Sequence, residues 1–69
     1  MISYIKGKLE AKNLDNVIIE VGGIGYKIFM SANSMDRLGE IGTEVKVYTY
    51  MRVREDDISL YGFLNNEEL

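Results

Sequence analysis

The 69-residue sequence predicts a mainly β protein, a five-stranded Greek-key barrel with one short helix between strands 3 and 4. Three observations support this fold class. Two runs with period-2 alternation flank an acidic turn at 53–58, which is the pattern of a long β-hairpin. Glycine-containing breaks and polar turns separate three shorter β-type runs before it. Before residue 65, only one short segment carries the residues that begin a helix.

The predicted hairpin has one apolar face. Apolar or Thr positions alternate with polar and aromatic ones on both arms, at Val45, Val47, Thr49, Met51 and Val53 before the turn and at Ile58, Leu60 and Leu64 after it. This alternation predicts that one face of both arms is buried. The tip carries Glu55, Asp56 and Asp57, and neighbouring carboxylates repel one another, so the turn is expected to stay in solvent. Two interpretations follow: the charges block edge-to-edge aggregation, or they form a negative probe on a stiff stem.

Three shorter strands and one helix precede the hairpin. The strands are predicted at 2–11, 17–21 and 26–30. Asn33 or Ser34 is the expected N-cap of the helix, with Asp36 in its first turn. Gly39 is expected to end it after one or two turns. This order fits an OB-type barrel over residues 1–64, whereas an SH3-like barrel, the competing architecture, has no usual place for the helix.

Residues 65–69 predict the start of a linker or helix that leads to a further domain. Asn65 can cap a helix, and Glu67 and Glu68 suit its first turn. The expectation is that this chain is the front domain of a longer protein.

Glycines are expected at the bends and turns of the barrel. Gly7 in mid-strand predicts a bulge or a sharp bend, and Gly62 predicts a second bend in the last strand. Gly22, Gly23 and Gly25 are expected to supply the positive φ values of a tight turn. A nucleotide-binding loop is rejected here, because a β-type run follows instead of a helix and the third glycine of a dinucleotide fingerprint is missing.

The composition excludes several classes of function. There is no Cys for a disulfide or thiolate metal site, and no His for near-neutral acid–base chemistry. The first residues do not form a signal peptide and no segment reaches membrane-spanning length, so a soluble, cytoplasmic protein without a membrane partner is expected. A small core favours self-association. The net charge of −3 argues against a nucleic-acid-binding surface, since phosphate contacts need clustered Lys and Arg.

The acidic tip is not expected to be catalytic. Three carboxylates could in principle bind Mg²⁺, but adjacent residues on a β-turn splay their side chains and no distant acidic partner is evident. A calcium loop is excluded because the alternating acid spacing and the mid-loop glycine are absent. We therefore expect no catalytic residue, no metal and no cofactor.

Basic and aromatic side chains alternate with the apolar ones on the strand before the tip. Arg52 and Arg54 are the best local candidates for contacts with phosphate groups, and pairing with the neighbouring acids is an equal alternative. Tyr48 and Tyr50, on the same face, could stack single-stranded bases. Packing at a subunit interface or at a barrel end is the favoured interpretation for these two rings.

Several separate motifs with matching spacing carry a family resemblance. They are Met1-Ile2 with Gly7, residues 20–26 (EVGGIGY), residues 53–56 (VRED) and residues 60–63 (LYGF). Together they resemble the RuvA family, the Holliday-junction-recognising subunits of the bacterial RuvAB branch-migration machinery of recombination and DNA repair. The departures are Ser3 and Tyr4, where the family often has Gly-Arg, and Asp57, which adds a third acid.

The resemblance implies an OB-fold domain within a four-fold homotetramer that binds four-way junction DNA. In that family the Glu55–Asp56 turn is an acidic pin, placed near the symmetry axis at the junction crossover. The resemblance also implies a helix-hairpin-helix domain beyond 65–69 that grips DNA, and a C-terminal domain that contacts the ATP-hydrolysing RuvB motor; neither is in this chain. The chain would be a non-catalytic recognition and tetramerisation module whose pin repels phosphates and helps to separate strands. A generic single-stranded nucleic-acid-binding module and a purely structural oligomerisation domain are the alternatives.

Overall fold

The computed structural model describes residues 2–64 of the chain. They form five strands and one helix: β1 (Tyr4–Lys12), β2 (Asn16–Val21), β3 (Ile24–Phe29), α1 (Ala32–Asp36), β4 (Glu44–Arg54) and β5 (Asp57–Phe63). The strands close into a barrel in the order β1-β2-β3-β5-β4. Neighbouring strands are antiparallel, except that β3 and β5 are parallel. The predicted OB-type barrel with its short helix is confirmed. The linker or helix predicted at 65–69 lies outside the described residues.

Strand β1 closes the barrel by pairing on both of its edges. Its first part, Tyr4–Lys8, pairs with β4, and its second part, from Lys8 onwards, pairs with β2. The register with β2 shifts between Leu9 and Ala11, so the irregularity in this strand falls beyond Gly7. Gly7 lies just before the residue at which the pairing passes from one neighbour to the other, which is where a curved strand needs room.

The core is aliphatic. Its buried side chains are Ile5, Leu9, Val17, Ile19, Ile28, Met30, Met35, Val45 and Val47. Thr49 is also buried, and its hydroxyl donates a hydrogen bond of 2.7 Å to the carbonyl oxygen of Ile2. The predicted burial of alternate residues in β4 is therefore confirmed in the first half of that strand.

The helix begins earlier than the sequence pattern predicts. Its N-cap is Ser31, whose backbone is extended and whose hydroxyl oxygen accepts a hydrogen bond of 3.2 Å from the backbone N–H of Ser34. The prediction of Asn33 or Ser34 as the N-cap is wrong, because Ser31 is already the residue at which the extended backbone after β3 turns into the helix. Asp36 is consequently the last helical residue and does not lie in the first turn.

Candidate nucleic-acid interface

The β4–β5 hairpin extends beyond the barrel. Its arms pair from Tyr48–Phe63 to Arg54–Asp57, and the two residues Glu55 and Asp56 join them. Every residue from 52 to 58 is exposed. At about 3.4 Å per residue, the exposed pairs and the turn project roughly 10 Å. The tip is therefore held away from the barrel on a short antiparallel stem.

The predicted apolar face of the hairpin is only partly buried. Val53 and Ile58 lie opposite each other in the ladder, and each is 66% exposed. The expectation that both would be buried is wrong. Alternation identifies a strand, but these two residues lie where the stem has left the barrel, beyond the half-buried Met51.

Three carboxylates occupy the tip. Glu55, Asp56 and Asp57 are all exposed, and a carboxylate oxygen of Asp57 accepts a hydrogen bond of 3.1 Å from the hydroxyl of Ser59. Within residues 2–64 only glycines have positive φ, so this turn needs no residue with left-handed backbone freedom. Its outermost positions can therefore carry carboxylates without backbone strain.

Arg52 and Arg54 lie on β4 immediately before the tip. Both are exposed, and their cross-strand neighbours are Ser59 and Asp57. The ion pairs within residues 2–64 are Lys6–Glu44 at 3.9 Å and Lys8–Glu10 at 3.6 Å. Neither guanidinium group therefore lies within 4.0 Å of a carboxylate in the described part of the chain. Pairing with the neighbouring acids, the alternative considered for these arginines, is not found there, and both groups are open to an anionic ligand.

The lower end of the hairpin is fixed to the barrel at Gly62. A Cβ atom at this position would lie 2.6 Å from Ile28 Cγ2, 2.7 Å from Val47 Cγ1 and 3.0 Å from Met30 Cγ. Such distances are below ordinary van der Waals contact, so only glycine lets β5 approach the core this closely. The direction of the projecting stem is thus set by packing at its base.

Three further glycines, predicted from the sequence to form a turn, lie around β2 and β3. Gly22 and Gly23 form the turn between these strands with φ values of 57° and 88°. Gly25 lies inside β3, opposite Glu20, and is not among the glycines with positive φ, so the expectation that it supplies a positive φ to the turn is wrong. These positions shape the barrel and are remote in sequence from the acidic tip.

Aromatic side chains form a neighbouring surface that the sequence pattern only partly reveals. Tyr50 lies opposite Tyr61 in the β4–β5 ladder, and Tyr61 lies opposite Phe29 in the β5–β3 pairing. The Phe29 and Tyr61 ring centroids are 5.7 Å apart. The sequence draws attention to Tyr48 and Tyr50 on one strand, but only the strand order brings the rings of three strands together.

Neither a metal site nor a membrane-spanning helix is found in the described part of the molecule. Among residues 2–64, no group of three His, Cys, Asp or Glu side chains is placed to hold a metal ion. The helix found within this range is too short to cross a membrane.

Residues 1–62 match the family described as the RuvA N-terminal domain. The chain belongs to this family. The resemblance drawn from the sequence motifs is confirmed.

Relatives of the chain carry the name Holliday junction branch migration complex subunit RuvA. The one from Acetivibrio thermocellus is 61% identical over 69 residues, which is 100% of this chain and 34% of the relative. The relative from Ruminiclostridium cellulolyticum is 52% identical over 69 residues, covering 100% of this chain and 35% of that protein. The relative from Chloroherpeton thalassium is 41% identical over 68 residues, covering 99% of this chain and 34% of that protein. The chain thus spans about a third of the length of these relatives.

Proposed function

We propose that this chain is the junction-recognition module of a RuvA-type subunit and acts in Holliday junction branch migration. Membership of the RuvA N-terminal domain family and the names of the relatives support the process. One structural observation carries the role of this domain: three exposed carboxylates stand on a stem that projects from the barrel. The role is non-catalytic, and the work of moving the junction comes from the ATPase motor RuvB.

The acidic tip acts by repulsion. Two unit charges about 4 Å apart interact by about 1 kcal/mol in bulk water and by about 4 kcal/mol at an effective dielectric constant near 20. Glu55, Asp56 and Asp57 of each of four subunits, brought together at a four-fold axis, would meet the phosphates where the arms of a junction converge. A continuous duplex, with roughly one charge per 1.7 Å of helix, could not cross this centre without a penalty. The open, four-armed form avoids the penalty, and strands that exchange partners are held apart.

Attraction has to come from other surfaces. The chain has a net charge of −3, so its overall field does not draw DNA in. In the proposed division of labour, the remainder of the subunit grips the DNA backbone. Arg52 and Arg54, which have no carboxylate within 4.0 Å among the described residues, add local phosphate contacts beside the tip. The domain thereby contributes selectivity for shape, while most of the affinity arises elsewhere.

The experiment replaces the charges and keeps the shape. The triple variant E55Q/D56N/D57N is made in a full-length subunit in which this chain precedes the remaining two thirds of the 61% identical relative. We expect tighter or less selective binding to both four-way junction and linear duplex, and altered branch migration with RuvB. Gel-shift titrations with the two DNA forms and a strand-exchange assay measure these effects.

A matched control removes three charges elsewhere. The variant E10Q/D36N/E40Q makes the same change in net charge at exposed positions on β1, on α1 and in the loop before β4. If both variants change junction preference equally, the effect belongs to net charge and the role of the tip is lost. If neither changes it, the domain is a structural oligomerisation unit with an inert turn.

A further inference from the structure

The aromatic residues of this protein are placed outside its core. The chain has five Tyr and two Phe residues. Of these seven rings, Tyr26 alone is among the side chains packed against the core of the described residues. The other six are Tyr4, Phe29, Tyr48, Tyr50, Tyr61 and Phe63. Aromatic side chains usually supply much of the apolar area that a small domain buries, so their absence from the core calls for a use on the surface.

These six rings share one outer face. Strand pairing sets Phe29, Tyr61 and Tyr50 in one row across β3, β5 and β4. A second row, across β5, β4 and β1, consists of Phe63, Tyr48 and Tyr4. We call the surface made by these two rows the aromatic face. It lies directly below the acidic tip, on the side of the hairpin that carries Arg52 and Arg54.

Cations accompany the aromatic rings. The Lys46 ammonium lies 4.6 Å from the ring centroid of Tyr4 and 5.2 Å from that of Tyr48, and the Lys27 ammonium lies 5.7 Å from that of Phe29. Neither lysine is in an ion pair with a carboxylate among residues 2–64. A chain with net negative charge therefore gathers several of its cations on its most aromatic surface.

An open groove lies in the middle of the aromatic face. It is lined by Tyr50, Arg52, Tyr61 and Phe63 and has a volume of about 440 Å³. Tyr50 is 51% exposed. The Lys46 ammonium covers the rings of Tyr4 and Tyr48. Within residues 2–64, no lysine ammonium covers the rings that line the groove. Asp15 lines a neighbouring cavity that shares Tyr61 and Phe63 with the groove. The residues that line the groove itself include a cation and no carboxylate.

We propose that this groove binds single-stranded nucleic acid, with bases stacked on Tyr50, Tyr61 and Phe63 and a phosphate held by Arg52. Unpaired bases expose the flat surfaces that an aromatic groove can stack, whereas a duplex presents mainly phosphates and groove edges. The β2–β3 surface that OB folds commonly use offers less, since its outward positions beyond Phe29, which include Ile18, Glu20 and Lys27, carry no aromatic ring. The proposal goes beyond the acidic tip: it requires neither a tetramer nor a junction.

The charge pattern favours this occupant over a two-fold contact with a second copy of the chain. A two-fold contact through the aromatic face would set Lys27, Lys46 and Arg52 against the same cations of the partner, which costs free energy. A polyanion is the complementary ligand. The groove lies below the tip. A strand separated at Glu55 and Asp56 could therefore follow the stem past Arg52 into the groove.

The test measures binding of the 69-residue chain to a fluorescein-labelled oligothymidylate of about 12 nucleotides, within the usual site size of an OB fold. Anisotropy at low salt should show weak binding, with a dissociation constant below about 10⁻⁴ M, and weaker binding to a duplex of equal length. Tyr50→Leu should weaken single-strand binding by about 5- to 150-fold, the loss expected for one stacked base, while Tyr50→Phe should retain it. Arg52→Gln should reduce the slope of log K against log salt by about 0.7.

Control variants distinguish base stacking from a general effect of charge, from unfolding and from self-association. Arg37→Gln removes the same charge at the end of α1 and should leave the salt slope unchanged. Circular dichroism melting checks that each variant folds, and sedimentation equilibrium reports its mass.

Four results would overturn the proposal. They are absence of binding up to about 10⁻⁴ M, equal binding of single strand and duplex, equal affinity of Tyr50→Leu and Tyr50→Phe, and a lower assembly mass in Tyr50→Leu. The last result would mean that the aromatic face joins copies of the chain. None of these outcomes depends on the carboxylates of the tip. The tip variant E55Q/D56N/D57N is tested separately, by its preference for junction over duplex DNA.

Discussion

Gly7→Ala tests how the barrel is closed. A Cβ atom at Gly7 would overlap the carbonyl oxygen of Glu20 and would lie 2.8 Å from Val21 Cγ2. The carbonyl belongs to a strand that pairs on both edges, with Lys8 on one side of Glu20 and Gly25 on the other. It cannot turn away alone, so β1 and β2 have to separate where β1 passes from one neighbour to the other.

The cost of this substitution can be estimated from its parts. Forcing an extra carbon into a packed site costs about 1–3 kcal/mol. Separating the strands also weakens one or two backbone hydrogen bonds, each worth about 0.5–1.5 kcal/mol. The expected loss of about 1.5–6 kcal/mol is a large share of the roughly 3–10 kcal/mol that keeps a 69-residue domain folded. At about 4–8 °C per kcal/mol, the melting temperature should fall by at least about 6 °C.

Thermal unfolding followed by far-ultraviolet circular dichroism measures the effect, with urea unfolding as a second measure of the free energy. Gly25→Ala is the matched control, since it is also a strand glycine but its Cβ would meet only the side chain of Ile18, at 3.1 Å. That side chain can rotate, so the control should change stability by less than about 1 kcal/mol. If Gly7→Ala melts within a few degrees of Gly25→Ala, the close approach of β1 and β2 is not a feature of the folded protein.

Three further substitutions probe single contacts. Thr49→Val removes the hydroxyl that donates to the carbonyl oxygen of the half-buried Ile2 and should cost about 0.5–1.5 kcal/mol, read as a lower urea midpoint; an unchanged midpoint would contradict that contact. Ser31→Ala removes the helix cap and should lower the free energy of unfolding by about 0.5–2 kcal/mol, whereas Ser31→Asp, which can also cap the helix, should keep it. Equal stability of the two variants would place the cap elsewhere. The double variant of Val53 and Ile58 to Thr should stay within about 0.5 kcal/mol in the same assay, because both are 66% exposed; a large loss would show that the stem is covered in solution.

The barrel can be predicted because its elements are specified locally. Alternation in β4, the apolar run of β2 and the glycines between strands each specify a strand or a turn within a few residues. The N-cap is harder to predict, because Ser31 and Ser34 are both residue types that cap helices. Which of them is the cap depends on where the extended backbone ends, and it ends at Ser31. Element type follows from local pattern, and an element boundary follows from the backbone on both sides.

The candidate site can be predicted only in part. The acidic tip is visible as three consecutive carboxylates, but its projection depends on where the barrel ends, which alternation along Val53 and Ile58 does not report. The aromatic face is a stronger example. Phe29 and Tyr61 are far apart in the sequence, and they become neighbours because β3 and β5 pair in parallel. A surface assembled from four strands has no local signal.

The chemistry of the hairpin and the packing of the barrel have a common physical origin at Gly62. Because β5 carries no side chain there, it can lie against Ile28 and Val47, and this contact fixes the angle at which the stem leaves the barrel. A mobile acidic loop would spread its charge over many positions and would lose conformational entropy on meeting DNA. A stem ordered during folding has already lost that entropy, so under the proposed function its charges meet phosphates at a defined place. On this reasoning, the direction of the tip depends on the barrel core, and the selectivity proposed for Glu55, Asp56 and Asp57 depends on residues that never approach the DNA.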